Sequence, residues 1–244
     1  MTWGAVLWVF TAGLVTALAT GLGAIPFAFL QELSPRTLAI SNAIASGLML
    51  GASVGLVSEG AAYGTAPTVV GGALGVGFIV LGGRLLEGRE VHFGKVHGAG
   101  AKKILLILAV MTLHSFSEGV AVGVSFGGGQ ALAALITLAI AVHNIPEGLA
   151  ISAVLRPRGS SLTACAGWSI FSSLPQPLMA VPAFVFVEAF QPVLPYGLGF
   201  AAGAMVFMVF FELLPEAYEN GGATTVGLWV SLPLAAMILF QRLL

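Results

Sequence analysis

The chain reads as an all-α integral membrane protein with eight transmembrane helices. Of its 244 residues, 58% are apolar and only 8% are charged, where soluble domains carry about 25% charged residues. Mean hydropathy is +1.02. The apolar stretches recur at a length near 20 residues, which suits helical spans and not barrel strands.

The first span covers residues 5–30. The residues before it, Met1-Thr2-Trp3-Gly4, carry no basic charge, so it reads as a span and not as a cleaved signal. Spans at 38–57 and 69–86 follow, then a polar segment, 87–103, that holds His92 and His97. The next two spans, 104–126 and 131–155, are joined by Phe126-Gly127-Gly128-Gly129-Gln130, a glycine-rich turn. Span six, 162–190, contains Pro175, Pro177 and Pro182, which free backbone carbonyls around Gln176. The last two spans are 196–214 and 226–244, and one polytopic domain, 1–244, accounts for the whole chain.

Eight spans put both termini on one side. Arg36, Arg84, Arg89, Lys95, Lys102, Lys103, Arg156 and Arg158 then fall on one face, and only Arg242 on the other. The positive-inside rule makes the basic face cytoplasmic, with both termini outside and the 87–103 loop inside. The plasma membrane follows if the source is bacterial.

Several functions are disfavoured. The net charge is −1 and no basic tract stands out, so nucleic acid is not an expected partner. No G-x4-G-K-[ST] phosphate loop is present, so no nucleotide is expected to drive the protein. The single Cys165 allows neither an internal disulfide nor a thiolate cluster, and Asp is absent.

The chemistry is concentrated in spans four and five. Leu113-His114-Ser115-Phe116-Ser117-Glu118-Gly119 and Val142-His143-Asn144-Ile145-Pro146-Glu147-Gly148 are near-copies of one phrase, 29 residues apart. Residues i and i+4 share a helix face, so each span offers an imidazole and a carboxylate together. Ionisable groups inside a membrane mark an ion or substrate pathway. Two His and two Glu suit a divalent first-row metal, and their two negative charges cancel a 2+ ion at low dielectric. Ser115 and Asn144 add neutral oxygen donors.

Ideal geometry sets one condition. With the turn at Gly128, His114 and His143 lie at equal depth, about 21 Å from it at about 1.5 Å per residue. Glu118 and Glu147 then sit about a turn away in opposite directions, so the Pro146 kink or an asymmetric turn is expected to bring them together.

These motifs resemble the ZIP (ZRT/IRT-like) divalent-metal transporter family. His143-Asn144-Ile145-Pro146-Glu147-Gly148 is similar to its span-five signature, and His114-Ser115-Phe116-Ser117-Glu118-Gly119 to the span-four partner. Gly47-Leu48-Met49-Leu50-Gly51 and Phe211-Glu212-Leu213-Leu214-Pro215-Glu216 resemble the bacterial-type branch. The resemblance implies a 3+2+3 inverted-repeat bundle, a homodimer and movement of metal toward the cytosol. It implies a first metal site of His114, Glu118, His143 and Glu147 with Met49 nearby. A second site would be bridged by both Glu and completed by Ser115, Asn144 and Gln176. His92 and His97 lie in the loop where the family often carries His-rich segments, and Glu212, an acid inside span seven, reads by itself as a candidate for entry, proton coupling or, preferred here, the exit path.

The chain departs from the family pattern at Ser115, where Asn is common, at Ser117, which replaces a proline, and at Gln176, where many members have Glu. An amide brings no negative charge, so the second site is expected to be weaker, absent or differently selective.

The expected function is transport of a divalent cation, zinc first and iron or manganese next, with the metal as cargo and no resident cofactor. The rivals are an intramembrane metalloenzyme and a metal sensor without flux. The His-Glu-x-x-His signature of zinc proteases is absent, so no enzyme activity is expected.

Overall fold

The computed structural model describes residues 2–30, 32–86 and 99–242. His92 and His97, with Arg89 and Lys95, lie outside the described residues. Among the described residues the secondary structure is helical throughout, as the sequence predicts: α1 (Trp3–Leu22), α2 (Pro35–Tyr63), α3 (Thr65–Leu86), α4 (Ala99–Gly127), α5 (Gln130–Leu155), α6 (Leu162–Ser173), α7 (Pro175–Ala189), α8 (Leu194–Met208), α9 (Leu214–Gly221) and α10 (Ala223–Gln241). Seven helical stretches among them are long and apolar enough to cross a membrane. α4, a helix of 29 residues, is the eighth member of the bundle.

Local chemistry fixes the helix ends. Thr2, Ser34 and Ser161 cap α1, α2 and α6 by accepting the backbone N–H groups of Ala5, Thr37 and Ala164. Pro35 opens α2, where its missing N–H costs nothing. Between α4 and α5 the chain reverses through Gly128 and Gly129, and Gly129 takes φ +112°, a conformation that favours glycine.

Besides shifts of up to about six residues at other span ends, such as α2 running on to Tyr63, three spans differ from the sequence reading in how their helices run. The first span stops being α-helical at Leu22, and Ile25–Ala28, with Pro26, continues it as a 3-10 turn. The sixth span is two helices that meet at Leu174, because Pro175 and Pro177 remove two backbone donors within one turn. The seventh continues past Leu214 to Gly221, through a π turn at Val209–Leu213 directly before Pro215.

The helices fall into two groups. α1, α4, α5 and the α6–α7 pair pack on one another, and so do α2, α3, the α8–α9 pair and α10. The groups meet mainly where α2 lies against α5 and α4 against α8. Exchanging α1 with α6–α7, α2 with α8, α3 with α10 and α4 with α5 turns the principal neighbour pairs into one another: α3–α8 into α10–α2, α4–α7 into α5–α1, and α2–α5 into α8–α4. α2 is central, with 61% of its most apolar stretch buried, and α10 is peripheral at 11%.

Small residues allow the closest crossings. A Cβ on Gly71 or Gly75 of α3 would stand 2.1 Å from the carbonyl oxygens of Tyr196 and Phe200 in α8. Such GxxxG spacing lets membrane helices gain van der Waals contact where no water is expelled. The Gly47-x3-Gly51 pair of α2 faces α10 in the same way, at Val230 and Met237. Met49, two residues from either glycine, joins the central apolar core instead.

Candidate metal centre

α4 and α5 bring their two copies of the phrase together. One ligand atom from each of His114, Glu118, His143 and Glu147 lies within 4.8 Å of all the others. All four residues are buried, at 4% exposure or less. The closest pairs run between helices: His143 Nε2 bonds Glu118 Oε1, and His114 Nε2 is 3.0 Å from Glu147 Oε1. The pairs within one helix are longer, 3.4 Å for His114–Glu118 and 3.8 Å for His143–Glu147. A tetrahedral ion with bonds of about 2.1 Å separates its ligand atoms by about 3.4 Å. The cluster matches that scale.

The two Glu reach the site from opposite directions along the helices. α5 runs as one helix through Pro146. Each Glu reaches across to the His of the other helix.

Hydrogen-bond roles at His143 point to a cation. Its Nδ1 lies 3.0 Å from the Ala139 carbonyl oxygen, which can only accept, so Nδ1 carries the hydrogen. In the neutral ring Nε2 is then a lone pair, and it faces the carboxylate of Glu118. Two lone pairs in contact require a proton or a metal ion between them. Neither carboxylate is paired with Lys or Arg among the described residues; their charged-type partners are the two His.

The neutral residues of the motifs are buried at the same level of the bundle. Asn144 Nδ2 donates to the Thr16 carbonyl of α1 at 2.8 Å and to Gln176 Oε1 of α7 at 3.1 Å. Gln176 Nε2 donates to Glu118 Oε2 at 2.6 Å. Ser115 Oγ and Asn144 Oδ1 are buried without a partner, as are both ring nitrogens of His114 by hydrogen-bond geometry. Gly148 and Gly119 make room for this packing. A Cβ on Gly148 would stand 1.7 Å from Thr20 O, and one on Gly119 2.7 Å from Gln176 O.

The four-residue cluster is drawn from α4 and α5 alone, and Glu212 is not one of its members. Met49 is fully buried in α2. Glu212 sits in the π turn, with Oε2 buried and unpartnered. One contact escaped the sequence reading: Asn42 of α2 donates to Glu216 Oε2 of α9 at 3.1 Å. An amide inside an otherwise apolar span was the available signal. Thr16 had none, because it acts through its backbone carbonyl.

A family model described as ZIP Zinc transporter matches residues 90–240. The chain belongs to the ZIP family. It is 33% identical to the zinc transporter GufA of Myxococcus xanthus over 247 aligned positions, covering 89% of this chain and 94% of that protein. It is 32% identical to the zinc transporter ZIPB of Bordetella bronchiseptica, covering 93% of this chain and 78% of that one. A longer protein of Arabidopsis thaliana, At3g08650, is 49% identical across 92% of this chain, and the chain spans 37% of its length. Family membership and the apolar helices together make this a multi-pass membrane protein.

Proposed function

We propose that this ZIP-family chain carries a divalent metal ion across the membrane through the α4–α5 hairpin. His114, Glu118, His143 and Glu147 are the ligands. The observation that carries this reading is the buried meeting of four ligand atoms within 4.8 Å, on two adjacent helices of a membrane bundle. Their charges sum to that needed by one 2+ ion, and imidazole with carboxylate suits zinc, with iron and manganese next. GufA and ZIPB, which the chain matches over most of its length, are named as zinc transporters.

Both carboxylates are engaged by imidazoles, so neither is left as a general base for metal-assisted hydrolysis. That favours passage over catalysis. The distribution of Lys and Arg supports termini outside and delivery toward the cytoplasm. Glu212, partly buried beyond the cluster with one free oxygen, is the candidate for the exit path. The neighbour scheme of the helices supports a 3+2+3 repeat within one membrane domain, and a homodimer remains the expected assembly.

The test is zinc uptake into proteoliposomes that hold the purified protein, compared with Glu147→Ala. Saturable uptake that falls to the level of empty liposomes in the variant is expected. Binding without uptake, for zinc, iron and manganese alike, would overturn transport in favour of a sensor.

A further inference from the structure

We propose that Gln176 restricts this chain to a single metal ion, because its side-chain amide takes the side of Glu118 on which a second cation would sit. The inference rests on the metal-carrying reading above and deepens it.

The orientation of the amides follows from the ends of their chain. The Thr16 carbonyl only accepts, so Asn144 must present its NH2 there. The second hydrogen of that NH2 meets Gln176 Oε1, so Gln176 turns its own NH2 toward Glu118. An ionised carboxylate only accepts, which closes the chain with every link in one sense. Pro175 and Pro177 have no N–H, so beside Glu118 this break in the sixth span offers Gln176 as its donor. Gln176 is fully buried, and water does not reach it to take its place.

Glu118 is thereby divided. Oε1 faces the two imidazoles, and Oε2 is held at 2.6 Å by the amide. A carboxylate that bridged two ions with one oxygen on each would need Oε2 for the second. Charge leads to the same count. Glu118 and Glu147 balance one dication, while Ser115, Asn144 and Gln176 are neutral. A second dication would leave two positive charges uncompensated in a buried, low-dielectric site. Gln176 is therefore a positioning residue: it sets how Glu118 ligates and how many ions the site accepts.

The full chain, purified in detergent without an affinity tag, is titrated with Zn2+ and with Co2+, and bound metal per chain is counted. One ion per chain is expected for the natural sequence and two for Gln176→Glu, which supplies a third carboxylate. Gln176→Leu keeps the volume and removes the donor. It is expected to stay at one ion, because the charge is unchanged. Its Co2+ visible spectrum should shift as Glu118 is released to ligate through both oxygens, with affinity lower by about tenfold, as for loss of a ligand's outer partner. Two ions on the natural chain, one on folded Gln176→Glu, or an unaltered Co2+ spectrum for Gln176→Leu would each overturn the proposal. Absence of any bound metal, or binding that survives Glu147→Ala, would instead overturn the metal-carrying reading itself.

Discussion

The two arms of the hairpin carry the same His–Glu pair and hold it differently. On α5, His143 is fixed at both nitrogens, by the Ala139 carbonyl and by Glu118. The residue after it, Asn144, ties the arm to α1 and α7. On α4, His114 has no hydrogen-bond partner at either nitrogen, and Ser115 has none at its hydroxyl. Only nearby carboxylates aim the His114 ring. The shared phrase therefore specifies the His and Glu, and their anchoring comes from neighbouring positions where the copies diverge. A ring held by an outer hydrogen bond has a fixed tautomer and direction. Under the proposed function, α5 supplies the fixed half of the centre and α4 the adjustable half.

The largest test of this difference lies in the paired glycines. In Gly148→Ala the new methyl would stand 1.7 Å from Thr20 O, a backbone atom, so α1 and α5 must separate. A destabilisation of about 3 kcal/mol or more is expected, at the upper end for overpacking. Gly119→Ala meets Gln176 O at 2.7 Å and should cost about 1–2 kcal/mol. Thermal unfolding in detergent ranks the two, and equal losses would remove the asymmetry in packing.

Next come the imidazoles. His143→Ala removes a ring held at both nitrogens and strips a partner from Glu118, whereas His114→Ala removes a ring that only the carboxylates aim. Zinc affinity, measured by competition with a chelating dye, should fall about tenfold further for His143→Ala than for His114→Ala. The reverse order would make α4 the fixed arm.

The smallest effect separates the residues that come directly after each His. Asn144→Ala loses its hydrogen bonds to Thr16 and Gln176, and a loss of about 1 kcal/mol carried to the site would make zinc bind about fivefold more weakly. Ser115→Ala loses no hydrogen bond and should change affinity by less than about twofold. A large effect at Ser115 would mean that its oxygen contacts the ion directly.

Much of this architecture was legible in the sequence, because a bilayer dictates both span length and the cost of every ionisable group within it. The spacing His-x3-Glu placed each pair on one helix face, and the glycine run placed the turn. The crossing of the pairs was not legible, since it depends on how far each Glu side chain reaches between two particular helices. Nor could the sequence rank its prolines. Pro146, Pro182 and Pro233 lie inside continuous helices, while Pro175 and Pro177 coincide with a break. Two missing donors in one turn differ from one, and the neighbours of that turn decide the outcome. The anchoring by Thr16 was invisible for another reason: a backbone carbonyl belongs to any residue type.

The π turn at Val209–Leu213 sets the register of the helix beyond it. The Leu214 N–H reaches back five residues to Val209 O, so the helix holds one residue more than an α-helix of the same span. In angular terms that extra residue turns the rest of the helix by about 100°. Glu216, three residues past the turn, meets Asn42 of α2 from this rotated position. Removing one residue within 209–213 would wind the segment back into α form and swing Glu216 away from Asn42, while nothing before Val209 need move. The turn works as an angular offset between the two ends of one helix: the upstream part packs on α3, α2 and α4, and the downstream part on α2.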